Sequence, residues 1–163
     1  MTAKNPDPTL ALTNLAGTTR TLDDWTTMFH LVLVVLPDRP EGAEWVPVAE
    51  RIFATFRDSD AKVAFLVPGN ASMARRLLDG AEARYTVFVD PHRTLIESLG
   101  LERLPAFVHL RQNATLAAAT EGWDPVEWQR VAREVAKAMA WTVPEVSGRG
   151  DPPRTVGWPA LLG

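Results

Sequence analysis

The chain has 163 residues, 46% of them hydrophobic, a formal net charge of −3 and no cysteine. That length and apolar fraction suit one globular domain with its own core, and the missing cysteine removes disulfides, thiol nucleophiles and cysteine-ligated metals. Residues 1–60 carry a net −4 and the remainder +1, so neither half shows the clustered Lys and Arg of a nucleic-acid footprint, and no apolar stretch reaches membrane-spanning length.

Residues 1–9, with Pro6 and Pro8, read as a flexible lead. Leu10, Leu12 and Leu15 alternate up to Gly17, and residues 18–22 return as a second short strand. Asp23 and Asp24 suit the start of a short helix over residues 25–29, with Trp25 and Phe29 as apolar anchors. The run LVLVVL, residues 31–36, is continuously apolar and bounded by Pro37 and Pro40, the pattern of a strand buried on both faces. Residues 44–56 then take a helical period, with Trp45, Val48, Ala49, Ile52, Phe53 and Phe56 on one stripe. Strand 62–67, helix 72–78, strand 84–89 and a short helix over 93–99 follow. Residues 106–111 and 115–119 are close enough to form an antiparallel hairpin. The last helix has the sharpest start: Asp124 as cap, Pro125 in the first position and Glu127 placed to bond back to the cap. It ends near Trp141. Residues 142–163 are rich in Pro and Gly and read as an irregular tail whose few apolar residues could hold it against the domain, residues 10–141. The element order predicts an α/β fold with a central mixed sheet between helices.

Three segments carry a resemblance to a known family: LALTNLAGTTRTLDDW (10–25), LVLVVLPDRPEGAEWVP (31–47) and FVDPHRTLIESLGLERLPAFVHL (88–110). Together they resemble the thioredoxin-like superfamily, in particular its thiol-disulfide oxidoreductase and peroxiredoxin branches, over roughly residues 8–140. The resemblance implies a thioredoxin-like fold with an N-terminal β-hairpin extension and a cis-proline at Pro105. It also implies a site at the loop after the first core strand. In the oxidoreductases that loop carries two cysteines separated by two residues. Aligning Leu36 and Pro47 puts Arg39 and Gly42 at those positions, so Arg39, Pro40, Glu41 and Gly42 form a degenerate loop. Sulfur redox chemistry needs a thiolate, and neither Arg nor Gly supplies a nucleophile. No catalytic residue, metal or cofactor is therefore expected.

What the resemblance leaves is binding. In the family, the backbone beside the cis-proline pairs with an extended partner polypeptide, which needs no thiol. Arg39, Trp45, Leu104 and Pro105 are the candidate binding residues, with Trp45 an anchor if it is exposed. The expected partner is a protein, a peptide or a second copy of the chain. A non-thiol enzyme or small-anion site around Arg39 and Pro105 is the alternative, though Asp38, Glu41 and Glu44 crowd Arg39 with carboxylates. His30, His92 and His109 are far apart in sequence and match no zinc spacing. With no signal-peptide pattern at the N-terminus, a cytoplasmic location is expected.

Overall fold

A computed structural model describes residues 3–161. Its strands are β1 (Ala11–Asn14), β2 (Thr19–Thr21), β3 (His30–Val35), β4 (Ala61–Val67), β5 (Thr86–Val89), β6 (Arg103–Leu104), β7 (Ala106–Leu110), β8 (Leu116–Glu121) and β9 (Trp158–Pro159). Its helices are α1 (Leu22–Trp25), α2 (Val46–Phe56), α3 (Ala71–Leu78), α4 (Thr94–Ser98) and α5 (Pro125–Met139). The main sheet runs β2-β1-β5-β4-β3-β7-β8, and β6 pairs with β9 separately. Strands β3, β4 and β5 are parallel, while β1, β7 and β8 join antiparallel.

The continuous apolar run in β3 is explained by cover on both faces. Val32 and Val34 pack with Phe53, Phe107 and Trp128 under α2 and α5. Leu31, Leu33 and Val35 pack with Trp25, Phe88 and Ile96 under α1 and α4. Helices α3 and α5 begin where a side chain takes an otherwise unpaired amide: Asn70 Oδ1 accepts from Met73 N at 2.9 Å, and Asp124 Oδ1 accepts from Val126 N at 3.0 Å. Glu127 does not complete a capping box; it reaches Arg130 instead, at 3.4 Å.

Two local expectations are corrected. The short helix starts earlier, at Leu22, because the Thr21 hydroxyl rather than an aspartate caps it, accepting from Asp24 N at 3.1 Å. Phe29 therefore falls outside it and is 44% exposed, so only Trp25 is a buried anchor. Trp141 is 41% exposed at the end of α5 and reaches Thr55 O through its indole N–H, at 2.6 Å.

Residues 142–161 are mostly irregular but tied to the domain at several points. The Arg51 guanidinium donates to Val146 O at 2.8 Å and pairs with Asp151 at 2.6 Å. Trp123 and Thr155 exchange backbone bonds of 2.8 and 3.0 Å, and the Trp123 indole donates to Pro152 O at 2.9 Å. Val146 and Ala160 are fully buried. Leu162, one of the apolar residues expected to hold the tail, lies outside the described residues. No helix among the described residues is long and apolar enough to cross a membrane.

Candidate functional site

Beyond β3 the chain runs through Leu36 and Pro37 into a 3-10 helix over Pro40–Trp45. Arg39, Pro40 and Glu41 lie exposed on its outer side, and Gly42 is buried. The Gly42 amide bonds to Arg39 O at 2.8 Å. A Cβ added at Gly42 would lie 2.5 Å from Pro37 O, a backbone atom. A side chain at Gly42 would therefore meet backbone, so this position is closed to one.

Across from this loop the Leu104–Pro105 peptide is cis. Its strand is already paired. β9 lies antiparallel against β6, with Leu104 opposite Trp158 and Arg103 opposite Pro159. Ala160 N donates to Glu102 O at 2.9 Å, extending the ladder by a residue. The C-terminal segment therefore occupies the edge on which partner binding is expected.

Three of the four candidate binding residues, Arg39, Trp45 and Leu104, meet it, and Pro105 follows Leu104. The Arg39 guanidinium stacks over the Trp158 ring, 4.7 Å from its centroid, and its Nε donates to Glu41 at 3.0 Å. Trp45 meets Trp158 edge to face at 5.8 Å. Trp45 is only 1% exposed and belongs to the core, so the condition for it to anchor a partner directly is not met. Beneath lies Arg93, buried, with its guanidinium bound to the Asp38 carboxylate and donating to Ala160 O at 2.7 Å. Arg93 Nε and Trp45 Nε1 are buried donors without a partner among the described residues. An open cleft of about 420 Å³ borders the loop, walled by Pro40, Ala43, Met73 and Leu77 with Arg39 and Arg76 at its rim.

The sequence did not reveal a second polar constellation at the other end of the sheet. His30 Nδ1 and His109 Nε2 are 2.8 Å apart, one donating to the other. His109 pairs across the sheet with Val32, so His30 lies diagonal to it on the same face. His109 Nδ1 is buried without a partner, and burial first, then the neighbouring His30 and Arg111, push its pKa down to about 4. The signal was present in the two strands, but their register was not. Asp90 serves structure: its carboxylate accepts from Thr94, Leu95 and Ile96 amides at 2.9, 3.0 and 3.2 Å and starts α4. Among the described residues no three side chains of the metal-ligating types come together.

No family model matches the sequence, and no curated protein matches it either. Solved structures do. A Chlorobium tepidum protein assigned as a thiol:disulfide interchange protein DsbE aligns over 84% of this chain and 97% of its own, with TM-score 0.68 and 17% identity. The Xanthomonas campestris bacterioferritin comigratory protein, whose structures concern alkyl peroxide reduction, aligns over 85% and 99% with TM-score 0.65 and 13% identity. A secreted disulfide oxidoreductase of Mycobacterium tuberculosis aligns over 79% and 96% with TM-score 0.60 and 14% identity. The protein has a thioredoxin-like α/β fold. Without a cysteine it is not a thiol-dependent oxidoreductase or peroxidase.

The closed Gly42 site gives a direct prediction. Placing cysteines in the loop as Arg39→Cys with Gly42→Cys leaves insulin reduction by dithiothreitol at its background rate. The Gly42 change alone costs about 1–3 kcal/mol in urea unfolding, the usual range for forced overpacking. Strong reductase activity from the double variant would show that the loop relaxes freely around a side chain.

Proposed function

We propose that this protein is a non-redox binding module that seats an extended polypeptide segment against the strand before the cis-proline, and that its own residues 157–160 hold that seat until a partner segment replaces them. The observation that carries the reading is the pairing of Leu104 with Trp158, whose ring is held between Arg39 and Trp45. This is strand addition carried out within one chain: backbone bonds give affinity, and side-chain slots give selectivity. The slots describe the partner. The residue at the Gly157 position must lack a side chain, because a Cβ there would sit 2.2 Å from Leu104 O. The next must be a large aromatic, and the Ala160 position is fully buried, so it takes a small residue. A protein segment of the form Gly-aromatic-x-small fits, whether from another protein or from a second copy. Use of Arg39 for a small anion is less well supported, since Glu41 already neutralises it and Trp158 covers its face.

The test is a labelled peptide, TVGWPAL, titrated by fluorescence anisotropy. An attached segment competes at a millimolar-scale effective concentration. The unaltered chain should therefore bind the peptide at least about tenfold more weakly than Trp158→Ala, whose own segment fits the seat poorly. A peptide with alanine for tryptophan should bind neither. If Trp158→Ala shows faster amide exchange at Ala160 and still ignores the peptide, the seat does not accept segments in trans and the module reading fails.

A further inference from the structure

The open cleft of about 420 Å³ beside the loop is separate from the seat on β6, and none of its lining residues pairs with residues 157–160 through the backbone. It lies between the 3-10 helix and α3, which come together where a Cβ added at Gly42 would be 3.4 Å from Leu77 Cδ1. Met73, Arg76 and Leu77 are three and four residues apart, so they share one face of α3. Pro40 and Ala43 are one turn apart in the 3-10 helix and share a face there. These two faces supply the walls. Pro40 and Ala43 are exposed, Met73 is half-buried and Leu77 is buried. Three lining side chains are charged, and two of them are engaged elsewhere. Asp38 is bound to the Arg93 guanidinium. Arg39 donates to Glu41 and lies against the Trp158 ring, both outside the lining. Arg76 is exposed and makes no hydrogen bond or ion pair among the described residues. Glu41 and Glu44 each follow a wall residue by one position, about a third of a turn round the helix, and are not part of the lining.

An apolar trough with one uncompensated positive charge at its rim fits a ligand with one apolar body and one negative charge. We infer that this cleft binds an aliphatic monocarboxylate of medium chain length, with the chain lying between Pro40, Ala43, Met73 and Leu77 and the Arg76 guanidinium folding over the carboxylate. The volume falls in the range of small-ligand sites. No aromatic ring lines the cleft to stack on a planar ligand, whereas the unbranched, adaptable Met73 suits a flexible chain. A single free guanidinium matches one carboxylate, and Arg offers it paired donors. A dianion would bring a charge with no partner. A polypeptide strand is the poorer fit, because neither wall offers an edge to join: the Gly42 amide is bonded to Arg39 O, and the Met73 amide at the start of α3 to Asn70 Oδ1. Residues 40, 43, 73 and 77 come from two helices about thirty positions apart, so no single apolar run marked the trough in the sequence.

The experiment is calorimetric titration of the full chain at pH 7 with octanoate, octanol and butyrate. Octanoate should bind saturably at a single site. Butyrate keeps the charge with little chain and should bind at least roughly tenfold more weakly. Octanol keeps the chain without the charge and should bind about threefold more weakly, the scale of one exposed charge contact. Arg76→Gln should weaken octanoate by about the same threefold and leave octanol unchanged, a split that a loss of packing would not produce. Ala43→Trp, which fills the trough from an exposed position, should abolish binding of both. Arg76 and Ala43 are exposed, so the variants should melt with the unaltered chain, and Arg76→Gln keeps the test valid if the larger tryptophan disturbs the loop. No saturable octanoate binding overturns the inference. So does octanoate binding that both variants leave unchanged, or octanol binding as tightly as octanoate. An acetylated SLEEL peptide that binds here more tightly than octanoate would assign the cleft to a polypeptide, and a dimer that octanoate dissociates would assign it to a second copy; either result also overturns the inference.

Discussion

Replacing Gly157 by alanine should lower stability by about 3 kcal/mol and release the C-terminal strand from the cis-proline edge. Two effects add at this position. Gly157 has φ +82°, where an L side chain costs roughly 1–2 kcal/mol. The new Cβ would also lie 2.2 Å from the Leu104 carbonyl oxygen and 3.4 Å from Gly122 Cα, both backbone atoms. Leu104 is held by its pairing with Trp158, and its neighbour Pro105 by the Gly122 amide at 2.8 Å, so neither moves cheaply. Forced overpacking of this kind costs about 1–3 kcal/mol. Gly150 is the internal comparison. It has φ +86° and nothing within 4 Å of its added Cβ, so Gly150→Ala should cost only the backbone strain, about 1–2 kcal/mol. Urea unfolding gives the stabilities. Amide exchange at Ala160, whose N–H bonds to Glu102 O, reports whether the strand has left. Equal losses at the two glycines, with Ala160 still protected, would show that the segment is not wedged against Leu104 as described.

That prediction bears directly on the proposed function. The strand that covers the edge is anchored upstream at Arg51, Trp123 and Gln129. Loosening residues 157–160 should therefore expose Leu104 without detaching the whole segment. A partner need only displace one aromatic side chain and a few backbone bonds, while the rest of the segment stays in place.

The sequence is informative where structure depends on local pattern. The apolar run of β3 and the Asp124-Pro125 start of α5 each specify their element, because burial and capping act over a few residues. The segments resembling oxidoreductases also point to the cis peptide at Leu104–Pro105. What could not be read depends on contacts distant in sequence. The pairing of Leu104 with Trp158 joins a two-residue strand to a Pro- and Gly-rich tail, neither of which has a periodic signal. The edge-to-face contact of Trp45 with Trp158 likewise joins a helix start to that tail. The cramped backbone at Gly42 depends on where the Pro37 carbonyl points. Phe29 is an apolar residue beside a helix that ends at Trp25, with Thr26 as its C-cap, before reaching it.

The His30–His109 pair should make the fold lose about 3 kcal/mol between pH 7 and pH 4, beyond what its carboxylates contribute. The direction follows from the hydrogen-bond inventory. A neutral His109 can donate from Nε2 to His30 and leave Nδ1 as a bare buried acceptor. A charged His109 carries a proton on both nitrogens, so Nδ1–H is buried with no acceptor among the described residues. Burial is the largest cause of the lowered pKa, and the positive fields of His30 and Arg111 push the same way. His30 is also lowered, first by burial and then by Arg111, with Asp60 opposing. In the unfolded chain both titrate near 6.5. As pH falls below that value the unfolded state takes up protons that the folded state refuses, so stability is full above about pH 6.5 and drains as pH approaches 4. A pKa of about 4 against 6.5 gives the figure of about 3 kcal/mol at pH 4 for His109 alone. His109→Leu is the control. It has its own baseline stability, but its loss between pH 7 and pH 4 should be smaller than that of the unaltered chain by about the same 3 kcal/mol. Urea unfolding of both proteins at half-unit pH steps measures the difference. Parallel curves would mean that His109 accepts its proton in the folded state, and that a water or a shifted neighbour pairs Nδ1.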